Sequence, residues 1–543
     1  MRILLRCDGG ASLGVGHAMR SLALAEAAVA AGHDVVVAGH FEGELLLRQL
    51  VTAPVEVLSL PAAMAGGDSR EVVDLVQRLR PDVLHADSYG ASERLGELVA
   101  TTGVSDVVFS NMEDGAFGRR PADVVVDPTL GAELSSRPED GSGWLLRGSR
   151  YTPVRRRVID ARRPAAGVAS DRGQQVARSV LVVMGGTDPV GLVPAAVGLL
   201  SSTGLPLEVT AIAEGENAER ALAAARGSRL SLTVLAPVDD LAELMSARDL
   251  VISAAGTSIW ELCCLGVPAA LVWAVDNQRA GYDEVVAAGA AVGLGGPELG
   301  KDAGSVELLT RALTHPGVRA ALAAAGRRVV DGLGSWRVVR TWEMAKRQRL
   351  RPVSLPTPDA VALVARPATL QDAQQLWSWR NDPATRAGSR SSAEVPWDDH
   401  LRWLEASLTR TDRMLLVVHD AGSAGGPVGT VRWDLVREPV GERESGQPGA
   451  RRGRPGGWPE WEVSITVAPG RRGQSLARPL LRAAETALCE RTRSSGTDVS
   501  AYLAVVHADN GASVRLFEAS GYVPDLPADP RGFMRFRKIA RVP

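Results

Sequence analysis

Residues 6–20 read RCDGGASLGVGHAMR. An apolar run, Ile3 to Leu5, enters this stretch, and small apolar residues, Ala18 to Ala31, leave it and end at Gly32. The order is strand, glycine-rich turn, helix, with Gly32 as the glycine just past the helix end. His17 falls at the helix start, at the carboxyl end of the first strand, the edge at which open α/β sheets bind ligands. The positive helix end disfavours an imidazolium there, which suits a proton acceptor. Gly14 and Gly16 let a substrate approach the backbone closely. A dinucleotide turn would read G-x-G-x-x-G; here His17 and Arg20 take the place of its closing part.

At 543 residues the chain has room for two to four domains, and its 45% hydrophobic content supplies ample core. A net charge of −2 offers no bulk field for nucleic acid or a membrane surface, and 4% aromatic content argues against base-stacking platforms. Cys7, Cys263, Cys264 and Cys489 form no C-x-x-C and no ligand spacing, so no metal is expected. Met1-Arg2 runs straight into a strand, and no apolar run reaches the roughly 18 residues of a membrane span. A reduced, cytoplasmic setting without membrane insertion is expected.

Strand-like runs recur at Asp34 to Ala38, Val55 to Leu60, Asp82 to Ala86, Asp106 to Ser110 and Asp123 to Val126, with helical patterns between them. This alternation predicts a parallel sheet covered on both faces over residues 1–160. Asp87-Ser88-Tyr89, Asn111-Met112-Glu113-Asp114 and Asp127-Pro128-Thr129 are expected on the same cleft edge as His17. A second βα series covers 176–345. Its first strand, Val180 to Met184, enters Gly185-Gly186-Thr187-Asp188-Pro189, a phosphate-sized turn opening onto a helix. Further on, amides at Gly256 and Thr257, with the Thr257 hydroxyl, can hold a pyrophosphate, and Glu261 can accept from both ribose hydroxyls. Strand Ala269 to Trp273 then leads to Asp276-Asn277-Gln278. Two such domains facing across a cleft would bind a nucleotide-sugar.

Residues 346–360, rich in proline and arginine, read as a linker. An α+β pattern occupies 361–543: strand Ala362 to Pro367, a helix capped by Thr369, a helix near Trp397 to Leu408, and strands at Met414 to His419, Val428 to Asp434 and Trp461 to Val467. A helix from Ala477 and a strand at Val499 to Val505 follow. The charged, glycine-rich 437–458 reads as a disordered insert.

The first 345 residues resemble the GT-B glycosyltransferases related to the lipid II N-acetylglucosaminyltransferase and, more closely, the UDP-sugar hydrolases of pseudaminic acid biosynthesis. The motifs are Arg6-x-Asp8, Gly14-x-Gly16-His17-x-x-Arg20, Asp87-x-Tyr89, Gly148-x-x-Tyr151-x-x-x-Arg155, Gly185-Gly186-x-Asp188, the Gly256-Thr257 to Glu261 box and Asn277-Gln278. The resemblance implies two Rossmann-like domains in a GT-B arrangement. It also implies metal-free displacement of UDP by water, with inversion, from UDP-2,4-diacetamido-2,4,6-trideoxy-β-L-altrose. His17 would be the base, with Asp8, Tyr89 and Asn277 positioning sugar and water. Consecutive aspartates would be expected at 111–114, where Asn111 and Glu113 stand.

The last domain resembles the GNAT acetyltransferases, through Arg472-Gly473-Gln474-Ser475-Leu476-Ala477 and Asn510-x-x-Ser513-x-x-Leu516-Phe517-x-x-x-Gly521-Tyr522. The resemblance implies acetyl-CoA as co-substrate, held at a helix N-terminus by Val467, 472–477, Asn510 and Ser513, with Glu462 as base or water relay. Ser475 stands where glycine is usual, and Phe517 where many members carry an acidic tyrosine. Fusion of the two halves implies N-acetylation of the 4-amino group of a UDP-amino-sugar, followed by UDP removal. A UDP-sugar glycosyltransferase joined to an acetyltransferase for another amino-sugar or a protein is the alternative. The same cleft would then pass sugar to an acceptor; an apolar membrane-docking patch on the first domain would favour transfer, and only short candidates such as Glu44 to Leu50 are present.

Overall fold

The computed structural model describes all residues except 11–14, 62–68, 89, 116, 163–175, 186–187, 189, 300–302, 351–362, 422–425, 437–458, 497–498 and 541–543. The side chains of Asn277, Ala303 and Leu350 also lie outside the description. The chain divides into two compact units, Met1–Arg351 and Pro352–Pro543.

Unit 1 holds two parallel sheets. The first contains β1 (Arg2–Cys7), β2 (Asp34–Gly39), β3 (Glu56–Ser59), β4 (Val83–Asp87), β5 (Val108–Met112), β6 (Val124–Asp127) and β7 (Trp144–Arg147), in the order β3-β2-β1-β4-β5-β6-β7. The second contains β8 (Ser179–Val183), β9 (Glu208–Ile212), β10 (Ser231–Leu235), β11 (Leu250–Ala254), β12 (Ala269–Val272) and β13 (Val292–Gly293), in the order β10-β9-β8-β11-β12-β13. Central strands such as β4 and β11 are buried along their whole length, as expected of a sheet covered on both faces. Each sheet reverses its order beside its first strand, between β1 and β4 and between β8 and β11. Such switch points leave a crevice at the strands' carboxyl ends.

The helix Gly334–Leu350, although it follows the second sheet, packs on the first helix (Gly16–Ala30) and on β5. Trp342 is fully buried there and donates its indole N–H to Ser110 Oγ at 2.8 Å, while its ring lies 5.2 Å from that of His85. Gly334 is required at the crossover, because a Cβ there would stand 2.1 Å from the Thr152 carbonyl oxygen. The linker read from residue 346 is therefore corrected. Residues 346–350 continue the helix, with Lys346 paired to Asp82 at 2.9 Å and Arg349 paired to Asp123, and 351–360 lie outside the described residues.

Unit 2 is a mixed sheet of β14 (Leu363–Pro367), β15 (Arg413–Asp420), β16 (Pro427–Val436), β17 (Glu460–Val467), β18 (Ala501–His507), β19 (Val523–Leu526) and β20 (Phe533–Ile539), ordered β14-β15-β16-β17-β18-β20-β19. All pairs are antiparallel except β17 with β18. The helix Ala477–Ser494 buries Leu480, Leu481, Ala484 and Leu488 against one face. The helices Ala373–Asn381 and Trp397–Thr409 contribute Leu376, Trp379 and Leu404 to a smaller core on the other face, with Leu415 and Val417. The chain is thus α/β in a GT-B-type fold, followed by a GNAT-type α+β domain. The insert read at 437–458 lies outside the described residues.

Candidate functional site

At the first switch point, Cys7 of β1 pairs with Asp87 of β4. His17, in the first turn of the first helix, brings Nδ1 to 2.6 Å from Asp87 Oδ1. Arg20, three residues on and so on the same face, donates Nε to Asp87 Oδ2 at 2.5 Å and Nη2 to Oδ1 at 2.7 Å. Burial alone would push the Asp87 carboxyl up; the doubly bonded Arg20 guanidinium, and then His17, hold it well below the usual carboxylate range. Arg20 Nη2 also stands 3.0 Å from His17 Nδ1, but the shorter carboxylate contacts decide the tautomer. Nδ1 carries the proton that Asp87 accepts, and Nε2 is then the acceptor nitrogen of the neutral ring.

The second switch point faces the first. The helix Ser258–Leu265 starts at Thr257 with no side-chain cap, and the first helix starts at Val15 likewise. A Cβ on Gly16 would stand 3.0 Å from Thr257 Cγ2, so the two helix starts meet across the cleft. Two positive helix ends at one place favour an oxyanion as large as a diphosphate. Glu261, one turn further on, is half-buried; burial pushes its carboxyl up, and Arg157 and Arg155 pull the other way. Gln278 flanks Gly256 and accepts from the Ala274 amide at 2.9 Å. Asn277 lies in a 3-10 turn, Asp276–Gln278.

The turn after β8 is built differently. Gly185 has φ 83°, and Asp188, at φ 42°, accepts the amides of Leu192 and Val193, both at 2.8 Å. Its own carboxylate therefore occupies the start of the helix Leu192–Ser202; of the turn expected to hold a phosphate, residues 186, 187 and 189 lie outside the described residues. Gly186, Thr187, Gly14 and Tyr89 lie outside the described residues. Asp8 accepts from Arg6 Nη1 at 2.6 Å and from the His40 amide at 2.9 Å, which clamps the ends of β1 and β2.

The polar residues at the ends of β5 and β6 mostly point inward. Asn111 accepts from Arg120 at 2.7 Å, fully buried Glu113 binds Arg137 at 2.7 Å, and Asp127 accepts the Thr129 amide at 3.2 Å. Asp114 is the one that reaches Arg20, at 3.5 Å. These residues do share the carboxyl edge with Cys7 and Asp87, but the expectation that all of them line the cleft is corrected: Asn111, Glu113 and Asp127 each have a buried arginine beside them and anchor loops. The role of Asp87 as the partner of His17 was missed. Its signal was an aspartate closing the strand that neighbours β1 across the switch point. Burial pushes the thiols of Cys7 and Cys263 up to about 12, so neither is a thiolate nucleophile. Among the described residues, no group of three or more His, Cys, Asp or Glu is placed to hold a metal. No helix among them is long and apolar enough to cross a membrane.

In unit 2, β17 and β18 pair only from Glu460–Val463 to Ala501–Ala504, and both then run on unpaired to each other, to Val467 and His507. The turn that follows β17 carries Gly473 at φ 76° and Ser475 at φ 56° and leads into the helix Ala477–Ser494, which starts at Leu476 without a side-chain cap. Arg472 is held by Asp382 and by Thr385, both at 2.6 Å, and Gln474 accepts from Arg471 at 3.0 Å. Asn510 caps the helix Gly511–Ala519 through the Ser513 amide at 3.1 Å. Glu462 lies on the face opposite Trp461 and Val463 and pairs with Arg390 at 2.7 Å. Phe517 is buried, edge-on to Tyr522 with ring centres 5.0 Å apart, and serves the core.

Ser475 thus holds a conformation that costs an L-residue about 1–2 kcal/mol, of which glycine would recover part. Because the turn is already formed, Ser475→Gly is expected to raise the unfolding midpoint and to tighten acetyl-CoA binding by no more than about threefold (~0.6 kcal/mol). A thermal melt of the full chain reads the midpoint, and calorimetric titration with acetyl-CoA reads the affinity.

Residues 180–300 match the C-terminal domain of glycosyltransferase family 28, and residues 362–523 match the acetyltransferase (GNAT) domain. An uncharacterized protein of Methanocaldococcus jannaschii, MJ1062, is 21% identical over 291 residues, which span 52% of this chain and 58% of that protein. The Bacillus subtilis spore coat polysaccharide biosynthesis protein SpsG is 24% identical over 341 residues, 62% of this chain and 96% of that protein. Among solved structures, Acinetobacter baumannii MurG aligns with a TM-score of 0.46 at 18% identity, covering 63% of this chain and 99% of MurG. Spermidine N-acetyltransferase from Vibrio cholerae aligns at 0.26 and 16%, covering 33% and 95%.

The match to a transferase family corrects the expectation of a UDP-sugar hydrolase of pseudaminic acid biosynthesis. One base in one cleft can activate water or an acceptor hydroxyl, so the motifs around His17 did not separate the two. The chain joins a domain of the glycosyltransferase family 28 type to a GNAT acetyltransferase domain.

Proposed function

We propose that unit 1 transfers a sugar from a nucleoside diphosphate, of the UDP-sugar kind, to an acceptor, and that unit 2 acetylates an amine with acetyl-CoA. The observation that carries the first reading is the meeting of two uncapped helix starts at Gly16 and Thr257, with the His17–Asp87 pair beside them. Amides at Gly256 and Thr257 hold the diphosphate and Glu261 the ribose. The acceptor oxygen attacks the anomeric carbon as the bond to the diphosphate breaks. The departing diphosphate takes the electron pair, and His17 Nε2 takes the acceptor's proton. Fixed positive helix ends stabilise the charge that develops on the leaving group. In unit 2, the 473–477 turn and the helix start behind it hold the coenzyme's pyrophosphate. Glu462 receives the amine proton, directly or through water, as the amine attacks the thioester carbonyl and the C–S bond breaks. Solvent protonates the thiolate, since Phe517 has no proton to give.

The test is release of nucleoside diphosphate from a panel of UDP-sugars, with and without acceptor fractions, and mass detection of the glycoside. Release that rises with acceptor and matches glycoside formed supports transfer; release at the same rate without acceptor overturns it. Gly16→Val would drive a branched side chain into Thr257. Overpacking of this kind costs about 1–3 kcal/mol, so donor KM is expected to rise roughly 5–150-fold, with the His17–Asp87 pair kept.

A further inference from the structure

Unit 2 contains a cavity of about 320 Å³ between the helices Ala373–Asn381 and Trp397–Thr409 and the face of β15 to β17. Trp379, Arg380, His400, Trp403, Arg432 and Thr466 are among its lining residues. Ser464 and Thr466 also line it, and strand alternation puts Glu462 on the same face, one step along.

The charges around this cavity are unusual for a site that receives an amine. Arg380 donates Nη2 to the Ser391 carbonyl at 2.9 Å, but its Nη1 is buried without a hydrogen-bond partner. Among the described residues no carboxylate pairs with Arg380, and its neighbour in the field is another arginine, Arg386. Arg432 faces Asp434 at 2.7 Å, but Asp434 is shared with Arg413 at 2.6 Å. Glu462 is engaged by Arg390. Burial pushes His400 down, so it adds no charge at neutral pH, and it is hydrogen-bonded to the Ala373 carbonyl at 3.0 Å. The walls therefore carry uncompensated positive charge. A buried guanidinium N–H left without an acceptor is costly, and arginine's planar fork fits phosphate and carboxylate oxygens in pairs. A polycationic amine would be repelled.

We infer that the acceptor of unit 2 is an amine carried on an anionic molecule, with a phosphate or carboxylate bound by Arg380 and Arg432 and a ring face laid against Trp379 and Trp403. The inference rests on reading unit 2 as an acetyltransferase. The full chain, loaded with CoA, is titrated calorimetrically with glucosamine 6-phosphate, 2-amino-2-deoxygalacturonate, glucosamine and spermidine. At least one anionic amine is expected to bind ten or more times tighter than glucosamine; the tighter of the two identifies phosphate or carboxylate. Arg380→Gln is expected to erase that preference, and Arg380→Lys, which keeps the charge but not the paired donors and has the same melting midpoint, is expected to keep only part of it. Equal binding of glucosamine, tighter binding of spermidine, no binding of either anionic amine, or an unchanged preference in Arg380→Gln would overturn the inference. Acetyl-CoA is titrated separately. Its failure to bind would count against the acetyltransferase reading, whereas the anion preference is read from the amines.

Discussion

His17→Ala is expected to lower kcat for sugar transfer by about 10²–10⁴-fold, the usual contribution of a positioned base, with donor KM little changed. On the proposed reading His17 would touch the reacting proton, whereas backbone amides at Gly256 and Thr257, across the cleft, would hold the diphosphate. Asp87→Asn tests the same pair from behind. An amide cannot hold the Nδ1 proton as a carboxylate does, and Arg20 loses the charge that both of its nitrogens contact. A drop of similar order is expected, because the ring is no longer held in the tautomer that leaves Nε2 as acceptor. A His17→Ala protein with undiminished transfer would remove His17 from the chemistry. The pair also has a signature in acid. A carboxyl held below its ordinary range contributes stability in full above that range and loses it as pH falls toward the folded value. The stability gap between wild type and Asp87→Asn is thus expected to hold from neutrality to about pH 5 and to shrink below about pH 4.

Trp342→Ala is expected to destabilise unit 1 by about 3–5 kcal/mol, the range for deleting a buried indole. The ring is fully buried, and its N–H is a hydrogen-bond partner of Ser110, which also contacts His85 Nδ1 at 2.9 Å. Removing it leaves a cavity under β5 and leaves the Ser110–His85 pair without its cover. Trp342→Phe restores much of the volume without the N–H, so about 1 kcal/mol of the loss is expected to remain. Unit 1 has two sheets, so the readout is hydrogen exchange at β4 and β5 rather than one unfolding midpoint. Equal protection in the alanine variant and the wild type would show that the helix Gly334–Leu350 is not what seals the first sheet.

The alternation of strands and helices was legible because buried parallel strands are continuous apolar runs. Val180 to Met184 and Ala269 to Trp273 fall within a residue of β8 and β12. β7 escaped notice: four residues, Trp144–Arg147, between glycines carry no period long enough to read. β19 and β20 were missed for a related reason, since Pro524, Arg535 and Arg537 break their apolar pattern. The position of His17 followed from glycines before a helix. Its partner did not, because Asp87 is 70 residues away and meets it only through the pairing of β1 with β4. The capping by Asp188 was not legible for the opposite reason. Gly-Gly-x-Asp before a helix looks the same whether the helix end receives a phosphate or the chain's own carboxylate. The positive charge of the GNAT cavity was not legible either, because Arg380 and Arg432 come from a helix and a strand far apart in the chain.

The helix that seals the first sheet has a consequence for how the protein is made. Ser110 leaves the ribosome long before Trp342. At about 5–20 residues per second, the roughly 230 intervening residues take on the order of 10–50 s to synthesise. Throughout that interval the nascent first sheet holds β5 and the first helix without their cover, while the second sheet is still being assembled. The first sheet is thus completed by a late segment. Chains truncated before residue 334 would present the half-covered sheet to chaperones and proteases, and a ribosome pausing within 147–334 would prolong its exposure.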